Sequence, residues 1–304
     1  MIAEERRMKI GILGTGHIGK TLVIRLSEAG HEVKVANSRG PETIDPELLS
    51  AGARAVTTED ALTDVEVVIL SIPLNRIADI APLVARLPDE TVVIDTSNYY
   101  PFRDSKIQVI EDGKVESLWV AEQLDRPIAK AWNAIGSASL AKKGKPAGTP
   151  DRIAIPVAAD RERDRQITMK LVSDTGLDAF DAGSLAASWR QQAGAPVYCT
   201  DLTLSGIPAA LDAAEKDRLP KRRDLAVAVM QERLGDGTTN PDEDWGGCRP
   251  SGDHHQGEAD RRLHPRMAVD RGNVTVLWGR RDAHAVEVGA GDARGIERLR
   301  VPGR

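Results

Sequence analysis

Aromatic residues are scarce in this chain, at 3% of the total, and cysteine is almost absent, with only Cys199 and Cys248. Two isolated thiols provide neither a disulfide framework nor a metal or redox spacing, and they suggest a reducing, cytoplasmic setting. No run of about twenty apolar residues occurs, so no transmembrane helix is expected. Residues Met1–Arg7 are charged rather than apolar, which argues against a secretory signal; Met8 is an alternative start immediately before the first apolar run. An excess of positive charge is also missing. The net charge of −5 argues against a general nucleic-acid binder or a membrane-surface protein. The 304 residues that carry these absences suffice for one large or two modest domains with a buried core.

What is present is most ordered between Met8 and Arg39. The apolar run Met8-Lys9-Ile10-Gly11-Ile12-Leu13 leads into Gly14-Thr15-Gly16-His17-Ile18-Gly19, a G-x-G-x-x-G turn. Ile18, Leu22, Leu26 and Ala29 then share one helical face, Gly30 stands as a C-terminal stop, and Glu32 to Ala36 reads as a second strand. Strand, glycine turn, helix and strand in about thirty residues predict a dinucleotide site, which a chance glycine turn would not place in register. Gly14 makes the tight turn, Gly16 lets backbone approach the pyrophosphate, and Gly19 lets the helix pack against the strand. Unpaired N–H groups and the dipole at the helix start would hold the phosphates. His17 lies in that first turn, where the dipole favours neutral imidazole, so it reads as a phosphate- or ribose-side contact rather than a proton donor.

The end of the second strand selects the dinucleotide. A carboxylate there would bind the 2′-hydroxyl of NAD, but the residues are Asn37-Ser38-Arg39. Arg39 can pair with a 2′-phosphate and stack on adenine, and Ser38 can donate a hydrogen bond, which points to NADP(H).

Later apolar runs repeat the pattern. A short helix around Pro46–Ala51, a small strand near Ala53–Val56 and a helix start at Thr58-Glu59-Asp60 complete the first half. Val65–Leu70 reads as a strand buried on both faces and exits as Ser71-Ile72-Pro73, placed to meet the nicotinamide ribose. Thr91–Asp95 exits through Asn98, Tyr99 and Tyr100, and Ile128–Trp132 exits as Asn133-Ala134-Ile135. In a doubly wound sheet these three exits converge on one crevice, with Asn98, Tyr99 and Asn133 near the reacting ring and Trp132 in the core. After a Lys-, Gly- and Pro-rich loop from Lys142 to Pro150 come a strand at Arg152–Ala158, a helix at Asp160–Asp174 and a strand at Leu177–Asp181. A helix N-capped by Ser184 and running through Trp189 follows, then helices at Pro208–Asp217 and Arg223–Leu234. Lys216, Arg218, Lys221, Arg222 and Arg223 read as a solvated helix surface.

Ile10–Gly19, Asn37-Ser38-Arg39, Ser71-Ile72-Pro73, Lys130-Ala131-Trp132-Asn133-Ala134-Ile135 and Asp181-Ala182-Gly183-Ser184-Leu185 together resemble the F420-dependent NADP oxidoreductases. The resemblance runs from about Met8 to Leu234. It implies an α/β fold, a Rossmann doubly wound parallel sheet with a small C-terminal α/β subdomain. The corresponding divisions are an NADP-binding domain at 8–150, the subdomain at 151–235 and an atypical tail at 236–304. It also implies an enzyme passing a hydride between the nicotinamide and the deazaflavin ring of coenzyme F420. Carried over by position, Gly14, Thr15, Gly16, His17, Ile18 and Gly19 bind pyrophosphate, and Asn37, Ser38 and Arg39 border the 2′-phosphate. Ser71, Ile72 and Pro73 lie under the nicotinamide, and Asn98, Asn133, Ala134 and Ile135 lie toward the deazaflavin. The exit turn Asp95-Thr96-Ser97-Asn98-Tyr99-Tyr100-Pro101 departs from the family pattern, being more polar and bulkier.

Ring-to-ring hydride transfer asks little acid–base chemistry of a protein, and no evident general acid or base stands out. Two other readings stay open: an NADPH-dependent reductase of a small imine, ketone or hydroxy acid, and a non-catalytic NADP(H)-sensing protein. The first would need a donor on the second half, where Lys170 has an outward helix phase. Partners are a small-molecule substrate, with neither nucleic acid nor membrane, and a homodimer is compatible. Pro241–Arg304 holds 11 Arg and 10 Gly but no Lys, Phe or Tyr. Apart from a short strand at Asn273–Trp278 it is expected to be loosely structured, consistent with translation from a shifted frame. Cys248, His254, His255 and His264 match no zinc spacing, so no metal site is expected.

Overall fold

The computed structural model describes residues 7–234 and, in the tail, three short strands; the chain divides into two compact units, Met1–Gly246 and Gly247–Arg304. The first unit opens with β1 (Lys9–Leu13), α1 (His17–Glu28), β2 (Glu32–Ala36), β3 (Arg54–Ala55), α2 (Thr58–Ala61), β4 (Val67–Leu70), α3 (Ile77–Val84) and β5 (Val92–Asp95). It continues through α4 (Pro101–Asp104), α5 (Gln108–Glu111), α6 (Glu116–Leu124), β6 (Ala129–Lys130), α7 (Ser137–Lys142), β7 (Ala154–Ala159) and α8 (Glu162–Asp174). β8 (Asp178–Asp181), a 3-10 helix (Leu185–Gln191), α9 (Ile207–Asp212) and α10 (Leu219–Leu234) close it.

The strands form one sheet in the order β3-β2-β1-β4-β5-β6-β7-β8. All pairs are parallel except β6 with β7. The first six strands follow the doubly wound order, with the crossover reversing between β1 and β4. The boundary expected at residue 150 falls in the loop before β7, and both strands beyond it hydrogen-bond onto the same sheet.

Strand sequence explains the layers. Every residue of β4 and β5 is buried, so Val67, Ile69, Val92 and Ile94 face one side while Val68, Leu70 and Val93 face the other. On the first side Leu22, Val23 and Leu26 of α1 and Leu171 and Val172 of α8 complete the core; on the second, Ile77 and Val84 of α3 and Val120 and Leu124 of α6 do so. This two-sided burial is why the strands read as continuous apolar runs rather than alternating ones. A third cluster, including Ala154, Val197, Ile207, Leu211 and Leu219, seats α9 and the start of α10.

Register aligns the carboxyl ends. Leu13 pairs with Leu70, Leu70 with Asp95, and Asp95 with Lys130, so the exits of β1, β4, β5 and β6 leave from one row. The row ends in a charge pair without any exposed side-chain surface: Lys130 Nζ donates to Asp95 Oδ2 at 2.6 Å and to the Ser97 carbonyl at 2.5 Å.

Some elements differ from the sequence expectation. The strand expected at Ile128–Trp132 is only two residues long because Trp132 turns into the left-handed region at φ 56°. The segment after Ser184 is a 3-10 helix, and Ser184 occupies its N-cap position without a side-chain capping bond. Arg223 is not on a solvated surface. It is buried, pairs with Asp224 and Glu111, and lies 5.1 Å from the centre of the Tyr99 ring. In the second unit, β9 (Arg266–Asp270), β10 (Asn273–Leu277) and β11 (Val286–Val288) form an antiparallel sheet, β10 coinciding with the expected strand there. The other tail expectations, including Cys248, His254, His255 and His264, fall outside the described residues.

Removing the Lys130 ammonium leaves Asp95 buried without a counter-charge, a change that costs about 3–5 kcal/mol. Lys130→Met is therefore expected to lose roughly that much unfolding free energy in urea denaturation; a loss below about 1 kcal/mol would contradict this role for the pair.

Candidate functional site

The glycine turn is built by close backbone approach. Gly14 has φ 107° and donates its N–H to the Ala36 carbonyl at 2.8 Å. A Cβ on Gly14 would lie 2.1 Å from the Ser71 carbonyl oxygen, and one on Gly19 would lie 2.1 Å from the Gly14 carbonyl oxygen. Side chains are thus excluded at both positions, and α1 packs directly beside the exits of β1 and β4. Gly16 is different. Nothing lies within 4 Å of the Cβ position it would have, so its open side faces space rather than protein.

Gly16 is also the N-cap of α1, with no side-chain capping bond and no acid in the first turn. A twelve-residue helix that starts without a cap, behind a glycine with open space, fits a pyrophosphate: N–H donors and dipole are both supplied by backbone. Thr15 is half-buried at the turn, and Ile18 packs against the first core. The exposed His17 ring has its pKa lowered by partial burial and then by Lys20, so it is neutral at physiological pH.

At the β2 exit Asn37 acts on the local chain. Its Oδ1 accepts the Arg39 N–H at 2.9 Å and its Nδ2 donates to Thr43 Oγ1 at 2.9 Å, forming an Asx turn. Ser38 and Arg39 are exposed, and the Arg39 guanidinium has no partner among the described residues. Asn37 therefore shapes the loop, while Ser38 and Arg39 stand free to meet a ligand.

The remaining exits are bonded to each other along the rim. Ser71 N–H donates to Leu13 at 2.8 Å, Thr96 N–H and Oγ1 both donate to Leu70, and Ala131 N–H donates to Asp95. Asn98 Nδ2 donates to the Asn133 carbonyl at 2.9 Å and Asn133 Nδ2 returns to Asn98 Oδ1 at 3.1 Å. Asn133 also donates to the Gln191 carbonyl at 2.8 Å and accepts from Gln191 Nε2 at 2.9 Å. Cys199 N–H then donates to the Ala134 carbonyl at 2.9 Å. Ser71, Ile72, Pro73 and Asn98 remain at least partly exposed at the rim, whereas Asn133, Ala134 and Ile135 are buried. Asn133 thus orients Asn98 and the segment through Gln191 from within.

Tyr99, expected near the reacting ring, turns into the core. It is fully buried and its hydroxyl accepts the Ile107 N–H at 3.0 Å. Trp132 is in the core as expected, its Nε1 donating to Thr175 Oγ1 at 3.2 Å.

Sequence reading missed two clusters. One is the Lys130–Asp95 pair with Glu116, whose Oε2 accepts the Tyr99 N–H at 3.1 Å. Burial pushes the Glu116 carboxyl up to about 7; Lys130, the Tyr99 N–H and Arg223 oppose that rise and Asp95 adds to it. A lysine inside one buried strand beside an aspartate ending the next was the available signal. The other is a contact between Tyr100 and Tyr198 at 2.6 Å, which nothing in the sequence links. Among the described residues no cluster of His, Cys, Asp or Glu could hold a metal, and no helix is long and apolar enough to cross a membrane.

A doubly wound sheet with a glycine turn, an uncapped helix start and aligned strand exits at its switch point defines an NAD(P)-dependent oxidoreductase. The family described as NADP oxidoreductase, coenzyme F420-dependent, matches residues 9–99, from β1 through the β5 exit. The Escherichia coli K12 protein YjhV is 43% identical over 101 residues, 32% of this chain and 70% of that one. Protein SMa0349 from Sinorhizobium meliloti superposes with a TM-score of 0.56 at 28% identity, covering 64% of this chain and 95% of that chain. The chain belongs to the F420-dependent NADP oxidoreductase family.

Gly16→Ala separates binding from folding. Its methyl meets open space in the protein but intrudes where a pyrophosphate would lie, so the melting temperature should hold while dinucleotide affinity falls more than tenfold in a fluorescence titration. Unchanged affinity would remove the pyrophosphate from this turn. Glu116 generates a pH dependence. Its carboxyl releases a proton at about 7 in the fold against an ordinary 4.5, so the folded state holds the extra proton between those values. Its contribution to stability therefore falls as pH rises through that window and is level above it. Glu116→Gln should flatten this slope in melting curves, gaining most on wild type above pH 7; parallel curves would show that the carboxyl stays ionised.

Proposed function

We propose that the protein passes a hydride between NADPH and a deazaflavin acceptor of the coenzyme F420 type. The observation that carries the dinucleotide choice is the β2 exit, where exposed Ser38 and an Arg39 guanidinium without a partner among the described residues stand in place of a carboxylate. A planar guanidinium there suits a 2′-phosphate bidentately, whereas the ribose 2′-hydroxyl of NAD is ordinarily held by an acid. In this reading Gly14, Thr15, Gly16, His17, Ile18 and Gly19 hold the pyrophosphate, and Ser71, Ile72 and Pro73 support the nicotinamide end. Asn98, held by Asn133, borders the acceptor, with the buried Ala134 and Ile135 following Asn133 in the β6 exit.

The acceptor rests on family membership and on the chemistry of the rim. Hydride transfer between two rings needs alignment more than a proton carrier, and amide, hydroxyl and backbone groups connect the exits of β4, β5 and β6. Reduction of a small imine, ketone or hydroxy-acid partner is the runner-up, and a protein that only senses NADP(H) is the third outcome.

The cofactor reading is tested with Arg39→Ala. A charge-assisted contact contributes roughly 1.5–3 kcal/mol, so NADPH should bind about 10- to 100-fold more weakly while NADH binding changes less than twofold. Equal losses for both dinucleotides, or none, would contradict a 2′-phosphate contact. Mixing wild-type protein and NADPH with F420, flavins and small carbonyls then separates the acceptors: oxidation with F420 supports the proposal, and oxidation only with a carbonyl replaces it with the runner-up.

A further inference from the structure

α10 is apolar on two opposite faces. Leu219 and Arg223 are buried and Val227 and Met230 half-buried, so these residues, at helical spacing, form the face that seats α10 on the body. Arg223 fixes that face by pairing with Glu111 and Asp224 beside the Tyr99 ring. The other face carries Arg222, Leu225, Val229 and Glu232, spaced by three, four and three residues, with Ala226 and Ala228 on its flanks. Leu225 is 52% exposed and Val229 36%, and Ala226, Ala228 and Glu232 are exposed beside them. A helix lying on a protein surface ordinarily turns charge outward, and apolar residues on both faces characterise a helix covered from both sides.

The charges at the two ends of this face select what can cover it. Arg222 lies one turn before Leu225 and pairs with Glu215 of its own chain. Glu232 lies one turn after Val229 and has no partner among the described residues. A second α10 laid antiparallel, about a two-fold axis at the level of Val227, sets Leu225 against Val229 of the other copy and Arg222 against its Glu232. Both contacts then occur twice. A parallel arrangement would instead set Arg222 against Arg222 and Glu232 against Glu232, with like charges facing. The spacing of three, four and three residues is that of the seam along which two helices interlock, and the flanking alanines let the backbones approach.

We propose that the outer face of α10 binds the antiparallel α10 of a second copy of this chain, with Leu225 and Val229 at the centre and an Arg222–Glu232 pair at each end. Two-fold symmetry makes the one patch self-complementary. Because Arg223 already holds α10 on the body, association orders little that is not ordered before it. A seam of about three helical turns is a small interface, so the dimer dissociates on dilution.

Sedimentation velocity of the full chain at about 1 to 300 µM, where weak homodimers dissociate, tests this. The average mass should rise from 32.8 kDa toward twice that value. Leu225→Ser and Val229→Ser replace exposed side chains, so each should keep the wild-type melting temperature and weaken association roughly tenfold or more. Glu232→Arg should weaken it roughly three- to tenfold by facing Arg222, and Arg222→Glu should do the same by facing Glu232. The double variant Arg222→Glu/Glu232→Arg restores opposite charges at both ends and should return to within about threefold of wild type. A monomer at every concentration would overturn the proposal and leave the face to a different partner. A dimer indifferent to both serine variants would place the interface elsewhere and overturn it as well. A double variant no tighter than its single parents would contradict the antiparallel pairing. Should Arg222→Glu melt early through loss of the Glu215 pair, Glu232→Arg decides, since it breaks no pair among the described residues, and unchanged association there is the overturning result.

Discussion

The backbone of the β1 exit touches the backbone of the β4 exit, and the rest of the site depends on that contact. Gly14 and Gly19 tolerate no Cβ because the carbonyl oxygens of Ser71 and Gly14 occupy the space. This lets α1 start directly above the switch point of the sheet, with its uncapped end beside Ser71. Bulk at either glycine would push the helix start away and separate the phosphate end of a dinucleotide from the nicotinamide end. The open space at Gly16 completes the arrangement: two glycines close protein against protein, and the one between them leaves room for ligand.

A second layer of order lies across the rim. Strand register brings Leu13, Leu70, Asp95 and Lys130 into one row, and hydrogen bonds tie each exit to its neighbour. Lys130 pairs with Asp95 and is itself held in place, since a second ammonium N–H donates to the Ser97 carbonyl. Buried charges held in this manner are costly to disturb, so the β5 and β6 exits keep one geometry. Asn133 and Gln191 extend the same ordering to the segment that carries Tyr198. The rim is held by hydrogen bonding at the β5 and β6 exits and by steric exclusion at the glycine turn.

Much of the fold was legible because burial on both faces writes itself into sequence. The first, fourth and fifth strands appear as apolar runs, and the glycine turn with its following helix has the spacing that dinucleotide binding requires. The region from Pro101 to Leu124 was not legible: α4 and α5 are four residues each, too short to show a helical period. The β6 strand was overestimated because nothing in Ile128–Trp132 reveals that Trp132 takes a left-handed conformation. Of the candidate site, the geometry of the glycine turn and of the β2 exit was readable, since it depends on glycine and on the absence of an acid after β2. The hydrogen bonds around the later strand exits were not, because they join residues far apart in the chain: Tyr100 meets Tyr198, and Asn133 meets Gln191. Tyr99 and Tyr100 are neighbours in sequence, yet one is fully buried and the other only partly.

The central claim is that this crevice moves a hydride directly from a bound nicotinamide to a second ring. The most direct measurement is a single turnover with NADPH carrying deuterium at C4, in separate samples for each face, followed by mass analysis of the F420 product. The account predicts a rate slowed by deuterium on one face only, with that label recovered in the acceptor. Label washed into solvent, or NADPH left unoxidised in the presence of F420, would contradict it.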